Sequence, residues 1–165
     1  MKISDTLLPE FDHEAATTRK TLERVADDKF DWAPHEKSMP LGRLACHVAE
    51  IPYFGTAVST ADSMDFAKGE YKQISATTRQ QLLDAFDANI KDARASIAGM
   101  SDEEMMKAWA LRNGDTVIMS MPKVGVLRVI LMNHWIHHRG QLSVYLRLTG
   151  AAVPSIYGPS ADEGM

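Results

Sequence analysis

Leu41-Gly-Arg-Leu-Ala-Cys-His47-Val-Ala-Glu-Ile51 and Asn133-His-Trp-Ile-His-His138-Arg-Gly-Gln141 are the two stretches from which the fold of this chain is read. At about 100° per helical residue, His134 and His138 fall on one face about 40° apart. Two imidazoles so placed can chelate one ion. Leu127, Ile130, Leu131, Leu142, Tyr145 and Leu148 lie within about 80° of His134 on the same wheel, so the pair sits in the middle of an apolar stripe and points toward other helices. In the earlier stretch Leu44, Ile51, Phe54 and Val58 share a face with His47, which therefore points inward as well.

A single core histidine is more often hydrogen-bonded than metal-bound. Three of them on inward faces are harder to satisfy by hydrogen bonds alone, whereas one shared divalent cation serves all three. His47, His134 and His138 are thus the candidate metal ligands, and a metal-free helical scaffold in which they merely pack is the competing reading. His137 lies about 60° to the other side of His134, beside Val144, and reads as a flanking residue. Gln141, about 20° from the His134 direction, is inward; it either hydrogen-bonds a ligand ring or finds a backbone partner. Glu14 occupies the first helix's stripe between Phe11 and Thr18. It is either a partner for a ligand N–H or, the favoured reading, a core-edge carboxylate with its head in solvent. Cys46 diverges from His47 by about 100° and reads as a small buried or interface residue. His13 and His35 read as surface or loop residues, and Trp109 and Trp135 as packing aromatics.

The chain has 165 residues, enough for one domain with a real core. Its net charge of −4, with both signs interspersed, provides no basic stripe and argues against nucleic-acid binding. No apolar leader follows Met1 and no stretch approaches a membrane span, so the expectation is a cytoplasmic protein without a membrane partner. A single cysteine excludes an internal disulfide and fits a reducing compartment.

Ile3, Leu7, Phe11, Ala15, Thr18, Leu22 and Val25 alternate spacings of four and three, predicting a first helix over about residues 2–26. Residues 27–40, with Phe30, Trp32, Pro34 and Pro40, predict a loop that packs back on the bundle. Ser38 ahead of Pro40 opens a second helix running from about residue 40 into the low sixties, bent where Pro52 cannot donate to the Val48 carbonyl. Ser75 with Thr78 starts a third, whose stripe is Leu82, Phe86, Ile90, Ala93 and Ile97 and whose end is Gly99. Ser101-Asp-Glu-Glu104 is a capping-box pattern for a short turn of helix. Asn113-Gly114-Asp115 between Ala108-Trp-Ala-Leu-Arg112 and Thr116-Val-Ile-Met-Ser120 predicts a two-stranded ribbon. A fourth helix runs from about Pro122 to Leu148, and Pro154, Gly158, Pro159 and Gly164 leave a short, loose tail without a fifth. The prediction is an all-α four-helix bundle, a single domain over residues 1–165, with a short β-hairpin between helices three and four.

Three segments carry a resemblance: Asp28-Lys-Phe-Asp-Trp-Ala-Pro-His-Glu-Lys-Ser38, the stretch Leu41 to Pro52 around His47, and His134 to Gln141. In these the chain resembles the DinB-like bundles, also called DinB/YfiT or DfsB-type proteins, over nearly its whole length. The resemblance implies a metal, zinc or nickel, held by the histidine of helix two and the His-x3-His pair of helix four, here His47, His134 and His138. It also implies a homodimer and an activity like that of the family's thiol S-transferases, which use bacillithiol, mycothiol or glutathione, or of its thiol-dependent maleylpyruvate isomerase.

Three neutral imidazoles leave a divalent ion an open position, the arrangement of a catalytic rather than a structural site. The functional expectation is a divalent-metal-dependent transferase or hydrolase that activates a low-molecular-weight thiol or water against a small-molecule substrate. The alternative is a non-catalytic, metal-dependent stress or ligand-binding dimer.

Overall fold

In the computed structural model, which describes residues 1–164, the first apolar stripe forms helix α1, Ile3–Leu22, burying Leu7, Phe11, Ala15, Thr18 and Leu22. The helix stops short of residue 26. Tight bonds from the Arg24 amide to Thr21 and from the Val25 amide to Leu22 turn the chain and seat Val25 in the core.

Residues 27–40 pack back on the helices. The Trp32 and Phe30 carbonyls accept from the Leu41 and Gly42 amides at 2.7 and 2.9 Å, satisfying the first donors of helix α2, Leu41–Glu50. Phe30 covers Gly42 so closely that a Cβ there would lie 2.4 Å from Phe30 Cδ1. Gly42→Ala has to push the ring off α2, and we expect urea denaturation to register a loss of about 1–3 kcal/mol. A loss below about 0.5 kcal/mol would mean that the loop yields freely.

Pro52 separates α2 from a distinct helix α3, Tyr53–Thr60, instead of bending one helix. Proline offers no N–H to the Val48 carbonyl, and the chain crosses the gap by bonds from Phe54 to Ile51 and from Gly55 to Pro52, at 3.0 and 2.9 Å. Helix α4, Arg79–Gly99, starts where Thr78 accepts from the Gln81 amide and buries Leu82, Phe86, Ala93 and Ile97. Ser101 caps α5, Asp102–Met106, in the same way through the Glu104 amide.

The ribbon belongs to a three-stranded sheet. Strand β1, Ser63–Asp65, pairs parallel with β2, Ala108–Asn113, which pairs antiparallel with β3, Thr116–Pro122. Asp65 is buried, and its Oδ1 accepts from the amide of Gly114 at the hairpin tip, where φ is +60°, and from that of Ala67. The bond from Gly114 outweighs burial and holds the Asp65 carboxyl below its ordinary range.

After Pro122 the chain forms α6, Lys123–Val126, then a π-helical segment, Leu127–Asn133, then α7, His134–Leu148. The prediction of four continuous helices is corrected accordingly: the second is divided by Pro52 and the fourth contains a wider turn. The chain is mostly helical with a small sheet. Helices α1, α2, α4 and α7 surround a core in which Trp135 meets Phe11 and Phe86 at ring-centroid distances of 5.7 and 6.0 Å. Leu148, counted with the inward stripe, is the last residue of α7 and is exposed. The tail adds no helix among the described residues, but it is not loose: Arg147 pairs with Asp162, and the Tyr157 hydroxyl reaches into α1. Among the described residues no helix is long and apolar enough to cross a membrane.

Candidate metal centre

His47 sits on the last turn of α2, His134 opens α7, and His138 follows one turn later. Their packing brings His134 Nε2 to 3.4 Å from His47 Nε2 and 2.8 Å from His138 Nε2. One ring nitrogen of each residue lies within 4.8 Å of the others, and all three side chains are half-buried. Nitrogens held at about 2.0–2.1 Å by one tetrahedral ion are about 3.3 Å apart, so the cluster has the dimensions of a three-nitrogen site.

The far sides of the rings explain why the near sides converge. Glu50 Oε2 lies 3.3 Å from His47 Nδ1, and Gln141 Oε1 lies 2.7 Å from His138 Nδ1. Both oxygens are acceptors, so each Nδ1 carries the proton and each Nε2 presents a lone pair. The backbone carbonyl of Ile130 partners the ring of His134. Facing lone pairs cannot hydrogen-bond one another; a divalent cation between them satisfies all three, and the donor set fits such an ion. Burial pushes His138 down to about 4, against the opposing bond to Gln141, and burial with the neighbouring His47 pushes His134 down as well. Both rings are therefore neutral at pH 7, the state in which imidazole ligates metal.

The π-helical segment contributes directly to this arrangement. The His134 amide donates to the carbonyls of Val129 and Leu131, five and three residues back. The Ile130 carbonyl, four residues back, is left to the His134 ring. Segments of this kind recur at functional sites, and here the widened turn leaves a backbone carbonyl for a candidate ligand ring.

Glu50, on the same helix three residues after His47, went unnoticed in the sequence although the spacing puts both on one face. Its side chain is 1% exposed and gathers Arg43, Tyr71, the Ile74 amide and His47. Burial alone would raise its pKa; the hydrogen bonds from His47, Arg43, Ile74 and Tyr71 together hold it at about 2. Glu14 is 3% exposed, which corrects the expectation of a carboxylate head in solvent. Its partners are Arg139 and Tyr157, not a ligand histidine. His137 is exposed, its ring 4.9 Å from that of His138 and outside the cluster. Cys46 is buried with its thiol toward the Ala76 carbonyl, and burial raises its pKa. His13 and His35 are exposed. A cleft of about 470 Å³ has Gln141, the partner of His138, in its wall with Lys37, Met39, Val144 and Tyr145.

Helices that surround one core and bring three imidazoles together from α2 and α7 define a class of histidine-cluster helical proteins. The model of the DinB family matches residues 1–164. The chain belongs to the DinB family. The uncharacterized protein YrdA of Bacillus subtilis is 28% identical over 160 residues, covering 96% of this chain and 90% of that one. A DinB-like protein of known structure from Bacillus cereus superposes with a TM-score of 0.71 at 21% identity, over 94% of this chain and 98% of its own. YjoA, a DinB-like protein from Bacillus subtilis, does so with a TM-score of 0.70 at 17% identity, over 97% and 99%. These two likenesses concern the fold alone.

Proposed function

We propose that the protein is a divalent-metal-dependent enzyme of the DinB type, a transferase or hydrolase that activates a low-molecular-weight thiol or water against an electrophilic small molecule. The observation that supports this most is the convergence of ring nitrogens from His47, His134 and His138, with acceptors at Nδ1 of His47 and of His138. These three residues would hold the ion, zinc or nickel by the family resemblance. A divalent ion with three protein ligands supplies an open position and the Lewis acidity that brings the pKa of water or a thiol toward neutrality. The chain's own side chains do the remaining work. Gln141 holds the His138 Nδ1 proton and so fixes one tautomer. Met39, Val144 and Tyr145, in the cleft that Gln141 also lines, provide apolar surface for a small molecule. With α2–α3 and α6–α7 each taken as one bundle member, the proposed form is a four-helix bundle acting as a cytoplasmic homodimer.

The test is elemental analysis of protein purified without a histidine tag, followed by turnover of a panel of electrophiles with and without glutathione, bacillithiol or mycothiol. About one equivalent of divalent metal, and turnover that requires both metal and thiol or water, is the expected result. Metal without turnover would favour the ligand-binding dimer instead. No metal, even after incubation with zinc or nickel, would remove both readings.

A further inference from the structure

Residues 69–78, between the sheet and α4, adopt no helix or strand, yet part of this segment is fastened at a single carboxylate. Glu50 closes α2 and is fully buried. Its Oε2 accepts from the Tyr71 hydroxyl at 2.9 Å and its Oε1 from the Ile74 amide at 2.6 Å. Arg43 grips both oxygens, at 2.8 and 2.5 Å, and the same guanidinium donates to the Ile74 carbonyl at 3.2 Å. His47 Nδ1 completes the set at 3.3 Å. A carboxylate has about four lone-pair positions, so these donors saturate it.

In the strap, residues 71–74, Tyr71 stacks on Phe54 with ring centroids 5.7 Å apart and Ile74 rests against the core. Clefts of about 430 and 380 Å³ share Gln73 and Ile74 in their walls, so the polar pins on Glu50 add to this partial packing in holding the stretch in register. Both pins on Glu50 meet the carboxylate that also meets His47. Whatever loosens the strap therefore disturbs a candidate ligand, and whatever fixes that ligand steadies the strap.

We propose that Glu50 is a positioning residue that holds the His47 ring with Nε2 toward the cluster and pins the strap 71–74 to α2, so that metal affinity and strap order are one equilibrium. This rests on the metal-dependent function proposed above. Loss of a hydrogen-bonding partner behind a ligand histidine lowers metal affinity by about 10–100-fold. Linkage requires that metal binding order the strap by the same factor by which strap order raises metal affinity.

The experiment uses the full chain, metal-free and zinc-loaded, as wild type, Glu50→Asp, Glu50→Gln and Tyr71→Phe. Zinc affinity is read by competition with a chromophoric chelator, the ligand field by cobalt(II) absorption, and strap order by hydrogen exchange at the Ile74 amide. Glu50→Asp keeps the charge for Arg43 but withdraws the carboxylate from His47, so zinc affinity falls by about 10–100-fold and the cobalt bands shift. Glu50→Gln does the same, and if it fails to fold, Glu50→Asp alone decides. Tyr71→Phe leaves the His47 contact in place; Ile74 exchange speeds up while zinc affinity drops by less than about tenfold. In the wild type, zinc slows exchange at Ile74. Folded Glu50→Asp with wild-type zinc affinity and cobalt spectrum overturns the proposal, as does exchange at Ile74 that ignores zinc. A wild type that takes up no metal overturns the metal-dependent function and this coupling together, whereas a wild type that binds metal no better than Glu50→Asp overturns the coupling alone.

Discussion

His138→Ala is expected to empty the metal centre, taking the protein from about one equivalent of divalent metal to a trace, with affinity lowered by more than about 100-fold. The magnitude follows from comparison: losing a partner behind a ligand already costs about 10–100-fold, and losing the ligand itself costs more. His137→Ala is the matched control. That ring is exposed and outside the cluster, so affinity should stay within about twofold. Elemental analysis and chelator competition on the two variants decide the matter. Metal retained in His138→Ala, or lost equally from His137→Ala, would remove His138 from the ligand set.

The same residue sets a pH dependence. Burial holds His138 at about 4 in the folded chain, below the ordinary 6.5. The folded state thus binds the proton less readily than the unfolded chain, and the sign follows. In metal-free protein the contribution of this ring is fully present above pH 6.5 and is lost as pH falls toward 4. The ring is only half-buried, so solvent screening brings the loss down to about 1–2 kcal/mol. Equilibrium denaturation in chelator at pH 7 and at pH 5 should register part of it in the wild type and less in His138→Ala. Glu50, held at about 2 against an ordinary 4.5, loses its contribution between those two values, so it enters only at the acid end of this window and contributes little to the comparison of pH 7 with pH 5.

Where local chemistry and tertiary packing agree, the sequence could be read directly. Ser101 caps the short helix it was expected to open, and of Ser75 and Thr78, expected together to start the third helix, it is Thr78 that caps α4, because a hydroxyl accepting from an amide three residues ahead is a local event. Gly114 takes the positive φ that the Asn-Gly pair announced. Strand β1 escaped because Ser63–Asp65 is too short for any periodicity to register; it is held by pairing with β2 and by the Asp65 carboxylate on Gly114, partners distant in sequence. The π-helical segment escaped for a related reason. Leu127–Asn133 has an ordinary helical composition, and its extra residue per turn has no marker in residue type. Among the candidate site residues, inward direction was legible for His47, His134 and His138 from one helical wheel each, whereas Gln141, expected inward, is exposed and meets the His138 ring from the solvent side. The grouping on Glu50 was not, since Tyr71 and Ile74 arrive from a segment without a repeating pattern. Glu14 was misjudged because a lone carboxylate on a helix stripe does not reveal that Arg139, on another helix, comes to meet it.

That meeting is the source of the largest stability effect we expect. Arg139 is 1% exposed; its Nη1 lies 2.5 Å from Glu14 Oε2 and donates to the Glu14 carbonyl and Thr18 Oγ1, each at 3.2 Å. Nη2 donates to the Tyr157 hydroxyl at 2.8 Å, and that hydroxyl donates to Glu14 Oε1 at 2.7 Å. Helix α7, helix α1 and the tail are thus joined at one buried charge pair. Arg139→Met leaves the Glu14 carboxylate in the core with Tyr157 as its remaining side-chain partner, and the expected loss in urea denaturation is about 3–5 kcal/mol. For a chain of this size that is a fall in Tm of about 10 °C or more. Removing both charges is a different experiment. In Glu14→Leu with Arg139→Met no ion is left without its partner, and replacing a buried pair by apolar residues is often close to neutral, so the double variant should recover most of the loss. A double-mutant cycle then gives a coupling of about 2 kcal/mol or more. Singles that each lose less than about 1 kcal/mol, or losses that simply add, would mean the pair is not coupled and that apolar packing alone orients α7. Metal affinity in the double variant should match the wild type, because the pair acts on how firmly α7 is held and not on the nitrogens it presents.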